Sequence, residues 1–326
     1  MPTARMAPEL PNEGSLYDEG LMTGIGRSAR RARGLGDVSS LEKRSITHGD
    51  FWIPEAEREL YKAVLGALNE AGVPYVIAGA YAIYEHTGIY RETKDLDVFV
   101  EPSHVVPAMR VLAGIGMTTR LEQAHWLAKA TLGEHFVDLI YGMGNGLALI
   151  DADWYRHSTP AILAANQVRV APVEEMIWHR LFISERHRQD TADILHLILC
   201  CGQRIDWDRL IYRTGPHWPL LLAQLHLFTY VYPEADGCIP DRVVEALLAQ
   251  AALDLKRPRS GDRVTRGTLI SRFSFSIDVH EWGMRDLRAA SICETEKLPS
   301  ILEIARADIW DELSEMATSY RERMGL

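Results

Sequence analysis

The stretch Asp95-Leu96-Asp97-Val98-Phe99-Val100 restricts what this chain can fold into more than any other. Carboxylate and aliphatic residues alternate with the two-residue period of a strand that has one buried face. Leu96 and Val98 are expected in the core, with Asp95 and Asp97 side by side on the opposite face. Two acids so placed can hold one or two Mg²⁺ ions. Magnesium takes hard oxygen ligands, keeps several waters and is commonly completed by substrate phosphates, so such a pair suits phosphoryl or nucleotidyl transfer. A second apolar run, Phe136-Val137-Asp138-Leu139-Ile140-Tyr141, carries a single charge. If that strand neighbours the first, Asp138 becomes a third ligand or the base that activates an attacking hydroxyl.

Taken alone, Asp-x-Asp more often marks a solvated strand edge, and the residues upstream decide against that. Val73 to Ala78 reads as a buried strand that ends at Gly79, and a helix over about Ala80 to His86 closes at Gly88. A strand running straight into a helix presents free backbone N–H groups and the positive end of the helix dipole, a natural cradle for phosphates.

Around this centre the chain reads as an α+β protein: a small mixed-sheet core followed by a mainly helical C-terminal region. Residues 1–50 show little periodicity and carry a cluster at Arg27, Arg30, Arg31 and Arg33, which suggests an arm. The core spans 51–172. It opens with a helix after Pro54, whose Leu60, Val64, Leu65 and Leu68 recur at helical spacing, and Ser103 is placed to cap another helix running to Gly114. His125–Thr131 and Phe136–Tyr141 form a hairpin around Gly133, and Val168–Val170 is a further strand. The remainder, 173–326, has helices expected from Pro172 to Phe182, Asp190 to Cys201, Asp206 to Tyr212, Pro219 to Tyr232, Pro240 to Leu253 and Leu298 to Arg323. Thr268 to Val279 alternates like a strand after a basic stretch that includes Lys256, Arg257, Arg259, Arg263 and Arg266.

The formal charge of −10, from 45 acidic against 35 basic side chains, argues against general affinity for nucleic acid or anionic membranes. An RNA contact would be confined to the two arginine clusters. The apolar run Trp218–Tyr232 is too short for a membrane span and is expected as a buried helix. There is no basic-then-apolar leader, and Cys200, Cys201, Cys238 and Cys293 lack metal-type spacing, so a cytoplasmic protein with reduced thiols is expected.

The order strand, Gly79-Ala80, helix, Arg91-x-Thr93-x-Asp95-Leu96-Asp97-Val98, then a later strand bearing Asp138, resembles the nucleotidyltransferase superfamily whose fold is shared with DNA polymerase beta. It is most similar to bacterial branches that include the toxin halves of type IV toxin–antitoxin pairs. The likeness runs from about Pro74 to Leu199. It implies that Asp95, Asp97 and Asp138 are catalytic and hold Mg²⁺, and that Gly79, Ala80, Arg91 and Thr93 border a nucleoside triphosphate. It further implies that Arg180, which stands where relatives often place a lysine, steadies the triphosphate. The implied reaction moves a nucleoside monophosphate onto an RNA end such as that of tRNA, a protein or a small molecule, and the branch also implies an antitoxin-type partner. Ala80 stands where many members have serine or a second glycine, so only its N–H is on offer to a phosphate.

Two other readings compete. One is a module of the same fold that binds nucleotide without turnover. The other is a metal-dependent phosphohydrolase built on His187, Asp190, Asp193 and His196, which recur at intervals of three. In that helix Ile194, Leu195, Leu197, Ile198 and Leu199 point to a core role, and the two acids suit a helix N-terminus or pairing with Arg186 or Arg188.

Overall fold

A computed structural model of the chain describes residues 53–93, 95–185 and 188–288. The N-terminal arm with its arginine cluster, Arg186, His187, Cys293 and the helix expected over Leu298–Arg323 lie outside them. Pro54 precedes α1 (Glu55–Glu70), where Leu60, Val64, Leu65 and Leu68 form the buried stripe that their spacing predicts. β1 (Val76–Ile77) is shorter than the apolar run around it, although Val73, Tyr75 and Ala78 are buried too. α2 (Gly79–Thr87) follows with no intervening loop and ends at Gly88, whose φ of 73° is left-handed. After β2 (Asp95–Phe99) comes α3 (Pro102–Gly114), which is opened by Pro102 in its first turn. Ser103 therefore lies inside α3 and is not its cap, which is Glu101.

β3 (Thr118–Gln123) was not legible in the sequence, because Leu121 is its one fully buried residue. β4 (Leu127–Leu132) and β5 (His135–Ile140) form the expected hairpin around Gly133-Glu134. α4 (Ala152–Arg156) leads into a second hairpin of β6 (Thr159–Leu163) and β7 (Asn166–Val170). The seven strands make one mixed sheet in the order β3-β4-β5-β2-β1-β7-β6. β2 runs parallel to β5 and antiparallel to β1, and β1 runs parallel to β7. Leu96 and Val98 are buried as the alternation requires.

The chain then becomes mainly helical. α5 (Val173–Arg180) is followed by a small hairpin, β8 (Ser184–Glu185) and β9 (Arg188–Gln189), and then by α6 (Thr191–Cys201). α7 (Trp207–Thr214), α8 (Trp218–Val231) and α9 (Asp241–Leu255) follow. α8 is not buried all round. Leu221, Leu225 and Phe228 form one buried stripe at helical spacing, while Tyr230 on the other side is 82% exposed. β10 (Val264–Thr265), α10 (Arg272–His280) and β11 (Arg285–Asp286) end the described part.

α10 overturns the strand expected over Thr268–Val279. The Ser271 hydroxyl accepts the Ser274 N–H at 3.0 Å and starts a helix there, and the alternating Phe273 and Ile277 have no buried face to fill, since both are exposed. Ion pairs join α7 to α5, where the acids are buried, and to the start of α4, where they are half-exposed. Arg209 binds both Glu174 and Glu175, and Arg213 reaches Glu175 at 3.2 Å, Asp151 at 2.5 Å and Asp153 at 3.2 Å. Among the described residues no helix is long and apolar enough to cross a membrane.

Candidate active site

The parallel pairing of β2 with β5 sets Asp97 directly opposite Asp138, and Asp95 opposite Phe136. Side chains at paired positions of neighbouring strands share a face, so the three acids converge on one side of the sheet. Taking one oxygen from each, the carboxylates lie within 4.8 Å of one another. Among the described residues this is the one group of three or more His, Cys, Asp or Glu side chains arranged to hold a metal ion. The donors are all carboxylate oxygens, the set that suits Mg²⁺.

Gly79 is fixed at this centre for two physical reasons. Its φ of 58° is left-handed, and a Cβ at this position would fall on the Asp97 carboxylate. The Ala78 N–H also donates to the Asp97 carbonyl at 3.1 Å. The start of α2 and the acid pair therefore form one rigid unit. The first-turn N–H groups of α2, those of Gly79 and Ala80 included, have no partners within the helix and lie beside the acids.

Positive charge within the cluster is sparse. Lys129, opposite Asp138 on β4, places Nζ 3.0 Å from Asp138 Oδ1 and 3.8 Å from the centre of the Phe136 ring. Thr93 donates to Asp95 Oδ1 at 2.6 Å and so orients that carboxylate. Desolvation, followed by the repulsion of Asp95 and Asp138, pushes the Asp97 carboxyl up to about 7, against the pull of Arg180 and Arg188. Burial also raises Asp138, opposed by its bond to Lys129. Tyr61, whose hydroxyl donates to Glu57 Oε2 at 3.3 Å, lines a pocket beside the acids together with Ile53, Tyr81, Thr93 and Leu163.

A string of alternating charges borders the cluster. Arg91 binds Asp193, whose other oxygen accepts from Arg180 Nε at 3.2 Å. Asp190 Oδ2 lies 3.9 Å from Arg180 Nε and accepts from Arg188 Nη2 at 3.2 Å, while its Oδ1 accepts from Arg188 Nε at 3.2 Å. Asp190 precedes α6 at its cap position, and β9 takes the place of the helical turn on which a four-residue metal stripe would depend. Of that stripe, Asp190 and Asp193 are occupied by arginines, and His187 lies outside the described residues.

The structure thus brings together Asp95, Asp97, Asp138, Gly79 and Thr93, with Ala80 in the same helix turn, and sets Arg91 and Arg180 in the bordering string. Sequence reasoning missed two residues. Lys129 carried no signal of its own, because its role depends on a cross-strand register that the chain reveals only when folded. Arg188 was visible only as a partner for the two acids that follow it.

No family model matches the chain, and no curated protein matches it. Among solved structures, the antibiotic-resistance factor ANT(2'')-Ia in solution is 18% identical, with 53% of this chain and 99% of that chain covered at a TM-score of 0.39. The lincomycin-bound lincosamide antibiotic adenylyltransferase LnuA is 18% identical over 44% and 96% of the two chains, with a TM-score of 0.33. The Megavirus polyadenylate synthase is 12% identical over 56% and 42%, also with a TM-score of 0.33.

Proposed function

We propose that this chain is a metal-dependent nucleotidyltransferase that moves a nucleoside monophosphate from a nucleoside triphosphate to an acceptor hydroxyl: the hydroxyl oxygen bonds the α-phosphorus, the bond to the β-phosphate breaks, and pyrophosphate leaves. The observation that carries the reading is the in-register meeting of Asp95, Asp97 and Asp138 beside the N-terminus of α2. Three partly buried carboxylates with one lysine among them favour a divalent cation, and their hard oxygen donors fit Mg²⁺. When bound, such an ion supplies charge neutralisation on the phosphates and polarises the α-phosphate.

The protein's own residues perform the rest. The first-turn N–H groups of α2 receive phosphate oxygens at the positive end of the helix. Thr93 holds Asp95 in one orientation, and Gly79 lets the cradle and Asp97 share one position. Asp138 takes the proton of the acceptor hydroxyl in this reading; burial raises its carboxyl, and the Lys129 ammonium opposes that rise and favours the carboxylate that can accept a proton. Arg91 and Arg180 contribute positive charge from the border of the site. The acceptor is an RNA end, a protein or a small molecule.

The test is incubation of the full chain with each α-labelled nucleoside triphosphate, Mg²⁺ and a cell extract, beside Asp95→Asn. A labelled product formed by the parent and lost in Asp95→Asn is the expected result. No label transfer together with no nucleotide binding would sink the reading.

A further inference from the structure

Three guanidinium groups stand near the acid cluster, and their surroundings separate them. Arg180 is 7% exposed. Its Nε donates to Asp193 and its Nη1 to the Met176 carbonyl, both at 3.2 Å, so its donors are turned to the protein. Arg91 shares the same aspartate. Arg188 is more exposed than Arg91, 63% of its side chain against 43%, yet it is fixed by two bonds: Nε and Nη2 each bond one oxygen of Asp190 at 3.2 Å. That fork engages two of the five N–H donors of a guanidinium and leaves three for a ligand.

The hairpin that carries Arg188 is braced on its far side. The Ser184 N–H donates to the Ile270 carbonyl at 3.1 Å, and the Ser271 hydroxyl donates to Glu185 at 2.5 Å. Asp190 sits between Arg188 and the buried Arg180, so the buried arginine helps to set the position of the exposed one. The charge of Arg188 also acts on Asp97, so this exposed cation lies within electrostatic reach of the acids. A planar fork held in place beside a cluster of metal-type carboxylates matches the oxygens of a polyphosphate, which are recognised best by bidentate guanidinium bonds.

We propose that Arg188 is the residue that grips the outer phosphates of the nucleoside triphosphate, and that Arg180 is a positioning residue acting on it through Asp190. The inference rests on the nucleotidyltransferase reading and moves the triphosphate contact from α5 to the β8–β9 hairpin. Arg180, at the place where the family resemblance locates the phosphate-binding cation, becomes a buried post.

The experiment is equilibrium binding to the full chain in Mg²⁺, with all four nucleoside triphosphates screened on the parent and the tightest compared with its monophosphate. Arg188→Ala is expected to weaken triphosphate binding at least tenfold and monophosphate binding less than twofold, with Arg188→Lys recovering part of the loss. Arg180→Lys is expected to weaken triphosphate binding on its own and to add nothing once Arg188 is alanine. Equal losses for both nucleotides in Arg188→Ala, or none, would overturn the inference. So would an Arg180→Lys loss that persists in full in the double variant. A parent that binds none of the four triphosphates removes the nucleotidyltransferase reading itself, a result distinct from failure of the arginine assignment.

Discussion

Two groups of acids in this molecule are buried in opposite ways. Glu174 and Glu175 on α5 are closed: Arg209 binds both, Arg213 reaches Glu175 at 3.2 Å, and the Asp206 N–H donates to Glu174 at 2.7 Å. Asp95, Asp97 and Asp138 are open, with Lys129 on Asp138 as the ion-pair partner within the group. Burial raises the carboxyls of Glu175 and Asp97 alike. The difference lies in what opposes the rise. At Glu175 two arginines in contact oppose the rise, whereas at Asp97 the neighbouring acids add to it and the arginines act without a direct bond. A buried acid is therefore not evidence of a site, but a buried acid whose nearest charges are other acids is.

Four experiments probe this contrast. The largest effect is expected for Asp97→Asn, which removes a carboxylate from the open group: label transfer should fall at least about a thousandfold, or roughly 4 kcal/mol in the barrier. The metal-free variant should keep its fold by circular dichroism, since the change relieves repulsion. Next, Arg209→Ala should open the closed group. Leaving Glu174 and Glu175 short of a partner is expected to cost about 3 kcal/mol in denaturant unfolding, while turnover per folded molecule stays as in the parent.

The third effect depends on pH. The Asp97 carboxyl lies above its unfolded value of 3.8, at about 7. The folded metal-free chain thus binds that proton more tightly than the unfolded chain between these limits, and its stability should fall as pH rises through the window. Mg²⁺ must displace the same proton, so its affinity should weaken by about tenfold per unit as pH drops below about 7 and level off above it. Titration calorimetry at several pH values checks this, and an affinity that is flat from pH 5 to 8 would contradict it. The smallest effect is expected for Lys129→Met. With its cation gone, Asp138 should titrate higher, and the acidic limb of the pH–rate profile should move to higher pH with a several-fold loss of rate at neutral pH.

Much of the open site could be read from the sequence, because it sits on strands whose pattern is unambiguous. Asp95 and Asp97 alternate with Leu96 and Val98, and Asp138 interrupts an apolar run, so each acid announces its own face. Gly79 was legible as the end of a strand, though its second constraint, the Asp97 carboxylate where a Cβ would stand, belongs to the fold alone. β3 and β6 escaped notice because their residues are mostly exposed or half-buried, which gives alternation nothing to act on. α10 was misread because Phe273, Phe275 and Ile277 mimic a strand period, while the local hydrogen bond at Ser271 decides for a helix. Lys129 and Arg188 show the remaining gap. Their significance comes from partners across a strand pair and across a cap, and charge alone does not reveal partners.

The pairing of β2 with β5 has a consequence for how this chain can change over generations. The acid cluster depends on Asp97 standing opposite Asp138, which is set within two short strands, 95–99 and 135–140. One residue gained or lost inside either strand would turn an acid to the buried face and break up the cluster at a stroke. The crossover between them, with α3, β3 and β4, obeys no such rule apart from the need to keep Lys129 in register. Its loops can lengthen, shorten or be replaced without moving the three carboxylates. Intolerance to insertion is thus concentrated in these two strands and at Gly79, which Asp97 also holds in place, while the neighbouring loops are free to be remodelled around an unchanged centre.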